Sequence, residues 1–211
     1  MSYLRTQNFK IIALCAVILL VAPLYAAYAS DIPANILTAS SKVAIQCASS
    51  NEESRAECYA REIPALYPHY SVADIFSVIR ALQQVDSVML HCHVPAHRLS
   101  QAVISRDPSS WISVLSDDSA NGMCAHGFAQ GIAYSLRIGA VPDVAHDAAV
   151  EQFATACASG SFQTRYSCTR ALGTYLYDIS GGDIQQALSR CEELSKNAGH
   201  LNVSICYSGL V

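Results

Sequence analysis

The residues best suited to chemistry in this chain are histidines and cysteines that lie in two short stretches. His93 and His97 are four residues apart, a spacing that places two imidazoles on one face of a helix. Two imidazoles with two further nitrogen or sulfur ligands form a tetrahedral zinc site, and imidazole nitrogens alone also suit copper. One hypothesis is therefore a zinc or copper site built from His91, Cys92, His93, His97, Cys124 and His126.

Several features favour a structural role for the same residues. In an oxidising compartment Cys92 and Cys124 form a disulfide rather than thiolate ligands. The sequence has no C-x-x-C, no H-E-x-x-H and no C-x-x-C-H haem-attachment motif, and Pro95 lies between His93 and His97. We therefore expect histidines that hydrogen-bond helix ends, without a bound cofactor, and we keep the zinc or copper site as the alternative.

The other cysteines have a regular spacing. Eight cysteines follow residue 29, and an even number in an exported chain indicates disulfides. Ten residues separate the members of two pairs, both of which begin with Cys-Ala-Ser, and fourteen residues separate the members of a third pair. The predicted disulfides staple helical hairpins and are Cys47–Cys58, Cys157–Cys168 and Cys191–Cys206, which leaves Cys92 and Cys124 as a fourth pair or as two thiols.

The N-terminal residues predict the compartment. Arg5 and Lys10 precede an uncharged run over residues 11–29, which ends in Ala-Tyr-Ala. This order is typical of a secretory signal that is cleaved before Ser30. An uncleaved membrane anchor is the alternative, because 19 residues can just cross a bilayer. Either reading predicts a secreted, periplasmic or membrane-anchored protein whose remaining residues, 30–211, lie outside the cytoplasm.

Composition excludes some classes of protein. Of the 211 residues, 52% are hydrophobic and 14% are charged, which is typical of a packed globular domain rather than a disordered tail. The formal net charge is −4, and the 13 basic residues are scattered along the chain. We therefore do not expect a nucleic-acid partner, because such binding depends on clustered Lys and Arg.

Apolar residues recur at helical spacing along most of the chain. Ser71, for example, is followed by apolar side chains at intervals of three and four, which predicts an N-capped amphipathic helix. Alternating strand patterns and Asn-Gly hairpin signals are absent from the sequence. The predicted class is all-α, with helices at about 31–48, 52–64, 71–82, 86–105 (strained at Pro95), 107–115, 120–136, 147–158, 165–179 and 183–196.

Several of these helices begin with a loosely repeated motif. Cys124, Cys168 and Cys206 are each followed, three residues later, by a small residue and then by a large apolar one. With Cys58 and Cys92 included, successive separations are 34, 32, 44 and 38 residues, in the range of helix-pair repeats. We predict one domain over residues 30–211, in which stapled hairpins stack as an irregular, solenoid-like α-α repeat that is truncated at the C-terminus.

Five short motifs, in this order, resemble those of a group of uncharacterised exported helical proteins. In this chain they are C-H-V-P-A-H from Cys92, C-A-H-G from Cys124, the Cys168 segment with Gly173, the helix that ends A-L-S-R-C at Cys191, and C-Y-S-G from Cys206. The group carries C-x-H-G-x-G-H at the third motif, whereas this chain has Arg170 and Thr174 at the two histidine positions. The resemblance covers about residues 72–211 and implies an exported helical fold, but no activity.

Two classes of function remain open. The favoured one is an extracytoplasmic helical-repeat module that binds another protein or a peptide, since such repeats present extended binding surfaces. The alternative is a metal-binding protein or metalloenzyme that uses the His91, His93, His97 and His126 cluster with Cys92 and Cys124. No residue set in the sequence compels a particular reaction, so we name no catalytic residue. Contact with a membrane is expected only through residues 11–29, if they are not cleaved.

Overall fold

The computed structural model describes residues 32–198 and 201–210, so the predicted signal segment lies outside the described residues. The described part contains ten α-helices, three short 3₁₀ helices and no strand, which confirms the all-α class. The 3₁₀ helices are Pro64–Leu66, Ser87–His91 and Pro108–Ser110. The α-helices are α1 (Ala34–Gln46), α2 (Glu52–Glu62), α3 (Val72–Gln83), α4 (His93–Arg106), α5 (Trp111–Leu115), α6 (Gly122–Arg137), α7 (His146–Cys157), α8 (Phe162–Ile179), α9 (Ile184–Ala198) and α10 (Val203–Tyr207).

Polar side chains cap several helix N-termini. The Ser71 hydroxyl accepts a hydrogen bond from the backbone N–H of Asp74, whose carboxylate accepts one from the N–H of Ser71 in return. Asn51 and Ser161 cap α2 and α8 in the same way through single hydrogen bonds. These caps satisfy backbone donors that have no partner within the helix, so the sequence itself marks where these helices begin.

The segment predicted as one strained helix from Asp86 to Ser105 is two elements, and that prediction is wrong. The chain forms the 3₁₀ helix Ser87–His91, turns at Cys92, and begins α4 at His93. Pro95 then lies in the first turn of α4, where a missing N–H costs no hydrogen bond. The proline therefore does not interrupt α4, and His93 and His97 lie one turn apart on a regular helix.

Four helices form the main stack of the molecule. The most extensive helix–helix contacts join α4 with α6 and α6 with α8, and α10 packs on the far side of α8. Each of these helices contains or directly follows a motif cysteine, so the repeat in the sequence corresponds to the order of the stack. This order is compatible with the predicted solenoid-like arrangement.

A second layer of helices covers this stack. Phe76 of α3 packs edge-on against Phe128 of α6, with ring centroids 5.2 Å apart. Phe153 of α7 lies parallel to Tyr175 of α8, with centroids 6.2 Å apart. These large buried side chains belong to one hydrophobic core that extends along the stack, and aromatic burial of this kind contributes strongly to stability.

All eight cysteines of the described part form disulfides. The three predicted pairs are confirmed, with Cα–Cα distances of 5.4 Å, 5.3 Å and 6.0 Å. They join α1 to α2, α7 to α8 and α9 to α10. Cys92 and Cys124 form the fourth bridge, which links the start of α4 to the first turn of α6.

Four disulfides indicate an oxidising, extracytoplasmic environment. Within residues 32–198 and 201–210, no helix combines the length and the apolar character needed to span a membrane.

Glycines allow the stacked helices to approach very closely. A Cβ atom at Gly127 of α6 would overlap the backbone carbonyl group of His93, and one at Gly131 would overlap that of His97. At the other end of the stack, a Cβ atom at Gly209 would overlap the carbonyl group of Arg170 in α8. Because backbone atoms rather than flexible side chains fill this space, these positions accept only glycine without movement of a helix.

We predict that Gly127→Ala lowers the free energy of unfolding by about 1–3 kcal/mol, the range for overpacked sites. This loss outweighs the roughly 1 kcal/mol that alanine contributes through helix propensity. Urea denaturation measures the difference. The control is Met123→Ala in the same helix, where the side chain is 50% exposed, and it should change stability by less than about 0.5 kcal/mol. Equal effects of the two substitutions would contradict close packing as the role of Gly127.

Candidate functional site

Three of the four predicted cluster histidines lie together between α4 and α6. The ring centroids of His93 and His126 are 5.3 Å apart, and those of His93 and His97 are 6.4 Å apart. His126 is buried, whereas His93 and His97 are partly exposed. His91 does not join them, because it ends the 3₁₀ helix and is exposed beside a different surface. We call His93, His97 and His126 the histidine cluster.

The backbone beneath the histidine cluster is held at several points. The Cys92–Cys124 disulfide lies directly before His93 and two residues before His126. Gly127 and Gly131 pack against the carbonyl groups of α4. The relative position of the three imidazoles is therefore set by covalent and steric constraints on the two helices, and not by hydrogen bonds between the rings.

Helix α8 adds a positive charge to the histidine cluster. Arg170 acts electrostatically on both His93 and His126. Next to them, the amide of Gln130 donates a hydrogen bond to the hydroxyl of Thr174, over 3.3 Å. The hydroxyl of Thr174 in turn donates to the carbonyl oxygen of Gly209, over 2.9 Å. Side chains from three successive helices of the stack thus meet at one place.

These surroundings disfavour protonated imidazoles. Burial, then the charges of Arg170 and His93, lower the pKa of His126 to about 4. Burial and Arg170 lower the pKa of His93, and burial and His93 lower the pKa of His97. A charged imidazole loses hydration in this environment and meets a second cation, so the three rings are neutral at neutral pH.

The geometry offers limited support for a metal. Cys92 and Cys124 are bridged, and a disulfide sulfur is not a thiolate ligand. In the described ranges, no group of three or more His, Cys, Asp or Glu side chains is placed to hold a metal ion. The guanidinium group of Arg170 also opposes a cation near His93 and His126. The zinc or copper site stays a prediction.

A groove lies on the other side of the turn at Cys92. It has a volume of about 410 Å³ and runs between the N-terminal half of α2, the 3₁₀ helix Ser87–His91 and the first turn of α4. Ligand sites in proteins usually have volumes of this order. The groove is lined by Glu52, Glu53, Ala56, Tyr59, Ser87, Val88, Met89, Leu90, His91, Val94 and Pro95.

A partly buried hydrogen-bond network holds one wall of the groove against α2. The carboxylate of Asp86 accepts hydrogen bonds from the Tyr59 hydroxyl, over 2.9 Å, and from the Arg55 guanidinium, over 3.0 Å. The same carboxylate accepts from the backbone N–H of Val88, which caps the 3₁₀ helix. Burial, then the hydrogen bond to Asp86, raise the pKa of Tyr59 to about 12, so the hydroxyl remains a neutral donor. The groove is therefore rigid on this side.

The rim of the groove combines apolar and acidic side chains. Leu90 is 57% exposed and Val94 is 49% exposed, which is high for large apolar residues next to each other. Glu52 and Glu53 form the first turn of α2 and are also exposed. Glu52 lies 3.9 Å from Arg55, and Glu53 makes no ion pair with any described residue.

No protein-family model, curated protein or solved structure matches this chain. The resemblance to exported helical proteins therefore stays a prediction. Sequence reasoning did not assign Arg170 to the histidine cluster or find the groove. Arg170 did stand out by its position, because it follows Cys168 by two residues, as His126 follows Cys124.

We predict that the free energy of unfolding falls as the pH is lowered from about 6.5 towards 4. In this range the unfolded chain binds a proton at position 126 that the folded chain does not bind, so stability rises with pH. His93 and His97 act in the same direction, since their pKa values are also lowered. Each fully shifted histidine adds up to about 1.4 kcal/mol per pH unit to the slope.

Urea denaturation at pH steps from 7.5 to 4, in wild type and His126→Gln, measures this slope. The variant should show a shallower loss of stability. His69→Gln is the matched control, because His69 is exposed and lies outside the histidine cluster, and its curve should parallel that of the wild type. A His126→Gln curve that also parallels the wild type would contradict the interpretation that the lowered pKa of His126 causes the loss of stability at low pH.

Proposed function

We propose that this protein is an extracytoplasmic interaction module, and that its groove binds an apolar, basic segment of a partner protein. The observation that carries this proposal is the exposed apolar rim of Leu90 and Val94 beside the two carboxylates of Glu52 and Glu53. The oxidising environment indicated by the four disulfides supports a partner outside the cytoplasm. The proposal assigns no reaction to the protein.

The apolar part of the groove provides the affinity. Its floor includes Met89, which is fully buried, and Pro95. An aliphatic or aromatic side chain placed on this floor would also cover Leu90 and Val94, and would remove their apolar surface from water. A single large anchor of this kind commonly contributes most of the binding energy of a peptide complex.

The acidic part of the groove favours a peptide segment with a positive charge. Glu52 and Glu53 add two negative charges within one helical turn, and Arg55 offsets part of the charge of Glu52 only. The whole chain carries a formal net charge of −4, so the general field also attracts cations. A Lys or Arg next to the apolar anchor would pair with Glu53, whereas an acidic segment would be repelled.

The backbone around the groove is suited to binding without rearrangement. The hydrogen bonds of Asp86 with Tyr59 and Arg55 hold the 3₁₀ helix on α2, and the Cys92–Cys124 disulfide holds the start of α4. A preformed site loses less conformational entropy when it binds a peptide. This rigidity distinguishes the groove from a mobile surface loop.

We predict that peptides selected from a random displayed library against the purified protein combine an apolar anchor with a neighbouring Lys or Arg. Leu90→Asp places a charge at the rim against that anchor and should weaken binding of a selected peptide at least about ten-fold, the loss typical of an anchor contact. Glu53→Lys should weaken it as well, because it replaces attraction by repulsion. Isothermal titration calorimetry measures both.

Ile138→Asp is the matched control. Ile138 is also 57% exposed, lies after α6 and is not part of the groove. This variant should bind the selected peptides as the wild type does. The proposal is wrong if the selected peptides lack the basic and apolar pattern, or if Leu90→Asp and Ile138→Asp bind them equally well.

A further inference from the structure

Three buried polar side-chain atoms of the described residues have no hydrogen-bond partner, and all three belong to one place. They are Nδ1 of His93, Nδ1 of His126 and Nε of Arg170. Buried polar atoms are nearly always hydrogen-bonded in folded proteins, so each exception requires an explanation. Three exceptions at the meeting point of α4, α6 and α8 indicate a common cause.

Arg170 is the unusual member of this group. Its guanidinium group is always charged, and it forms neither an ion pair nor a side-chain hydrogen bond with any described residue. Arg55 and Arg190, in contrast, each lie 3.0 Å from a carboxylate oxygen. Partial burial of a cation is costly unless an anion or several acceptors compensate it. None of the described carboxylates does so for Arg170.

The neighbours of Arg170 on the other helices are donors or neutral groups. His93 and His126 are close enough for its charge to act on both. Each neutral imidazole carries one N–H donor; the ring of His126 hydrogen-bonds the backbone of Ser167 and that of His93 hydrogen-bonds the side chain of Gln130. Gln130 and Thr174 form a neutral pair beside them. A cation would be repelled here, whereas an anion would be attracted to the guanidinium group.

We propose that Arg170, His93 and His126 bind a small oxyanion, a carboxylate group or an inorganic phosphate, between α4, α6 and α8. The guanidinium group supplies two parallel N–H donors that match the two oxygens of such a ligand, and the unpartnered Nδ1 atoms of the two imidazoles lie beside it. Arg170 and His93 are only partly buried, so part of each side chain is open to solvent. The site is separate from the peptide groove and does not depend on it.

The sequence repeat explains why the site forms where it does. His126 and Arg170 both lie two residues after a stack cysteine, so they occupy the same position of two successive helices. Gly127 follows His126 directly and holds α6 against the carbonyl group of His93. The three side chains are thus brought together by the packing of the stack, and the ligand is not needed to assemble it.

Nuclear magnetic resonance of the ¹⁵N-labelled full chain tests the proposal. Sodium phosphate and sodium acetate are added separately, at constant ionic strength, while the Nε–H signal of Arg170 and the ring signals of His126 are followed. A saturable shift of both sets of signals is expected with at least one anion. The stronger of the two responses identifies phosphate or carboxylate as the better ligand.

Arg170→Gln removes the charge and keeps a polar side chain, so it should weaken binding at least about ten-fold, as expected when a charge-assisted hydrogen bond is lost. Arg165→Gln is the matched control on the same helix, because Arg165 is exposed and is not among the residues with unpartnered buried atoms. The affinity of Arg165→Gln for the anion should equal that of the wild type.

Two results would overturn the proposal. The first is that the signals of Arg170 in the wild type do not saturate with either anion, and this result does not depend on any variant. The second is that Arg170→Gln binds the anion as well as Arg165→Gln does.

Discussion

The close approach of α4, α6, α8 and α10 is the constraint on which the rest of this structure depends. In four places a glycine Cα in or just after one of these helices faces a backbone carbonyl group of a neighbouring one, and any side chain there would overlap it. Small residues at these positions bring two helix backbones closer than ordinary side chains permit. The disulfides act on the same elements, because three of them have at least one cysteine in a helix of the stack. Covalent and steric constraints therefore reinforce one another.

The electrostatic properties of the histidine cluster follow from this packing. Side chains next to the glycines have little space and little water, so His126 is buried with a pKa of about 4. Arg170 is held beside it by the packing of α8, although the two groups would not associate on electrostatic grounds. The free energy of the packed helices thus maintains an arrangement of imidazoles and a guanidinium group that is unfavourable by itself.

The turn at Cys92 divides the surface into two regions of opposite character. Before the turn, His91 and Leu90 lie on the acidic and apolar groove, which suits a basic peptide. After the turn, His93 lies near the positive charge of Arg170, and its buried Nδ1 atom has no hydrogen-bond partner. Because the Cys92–Cys124 disulfide fixes this turn, neighbouring residues of the sequence serve two separate surfaces, and a change in one need not affect the other.

The sequence by itself determined the helical class, three of the disulfides and several helix starts. Each of these depends on local information: apolar spacing, cysteine spacing, or a capping side chain such as Ser71 within three residues of its partner. The break of the helix predicted from Asp86 to Ser105, the approach of Arg170 to His126, and the groove between α2 and the 3₁₀ helix were decided only by the tertiary structure. These features depend on contacts between residues 30 or more positions apart, such as Asp86 with Arg55. The sequence could not predict them, because helical periodicity carries no information about which residues of two distant helices meet.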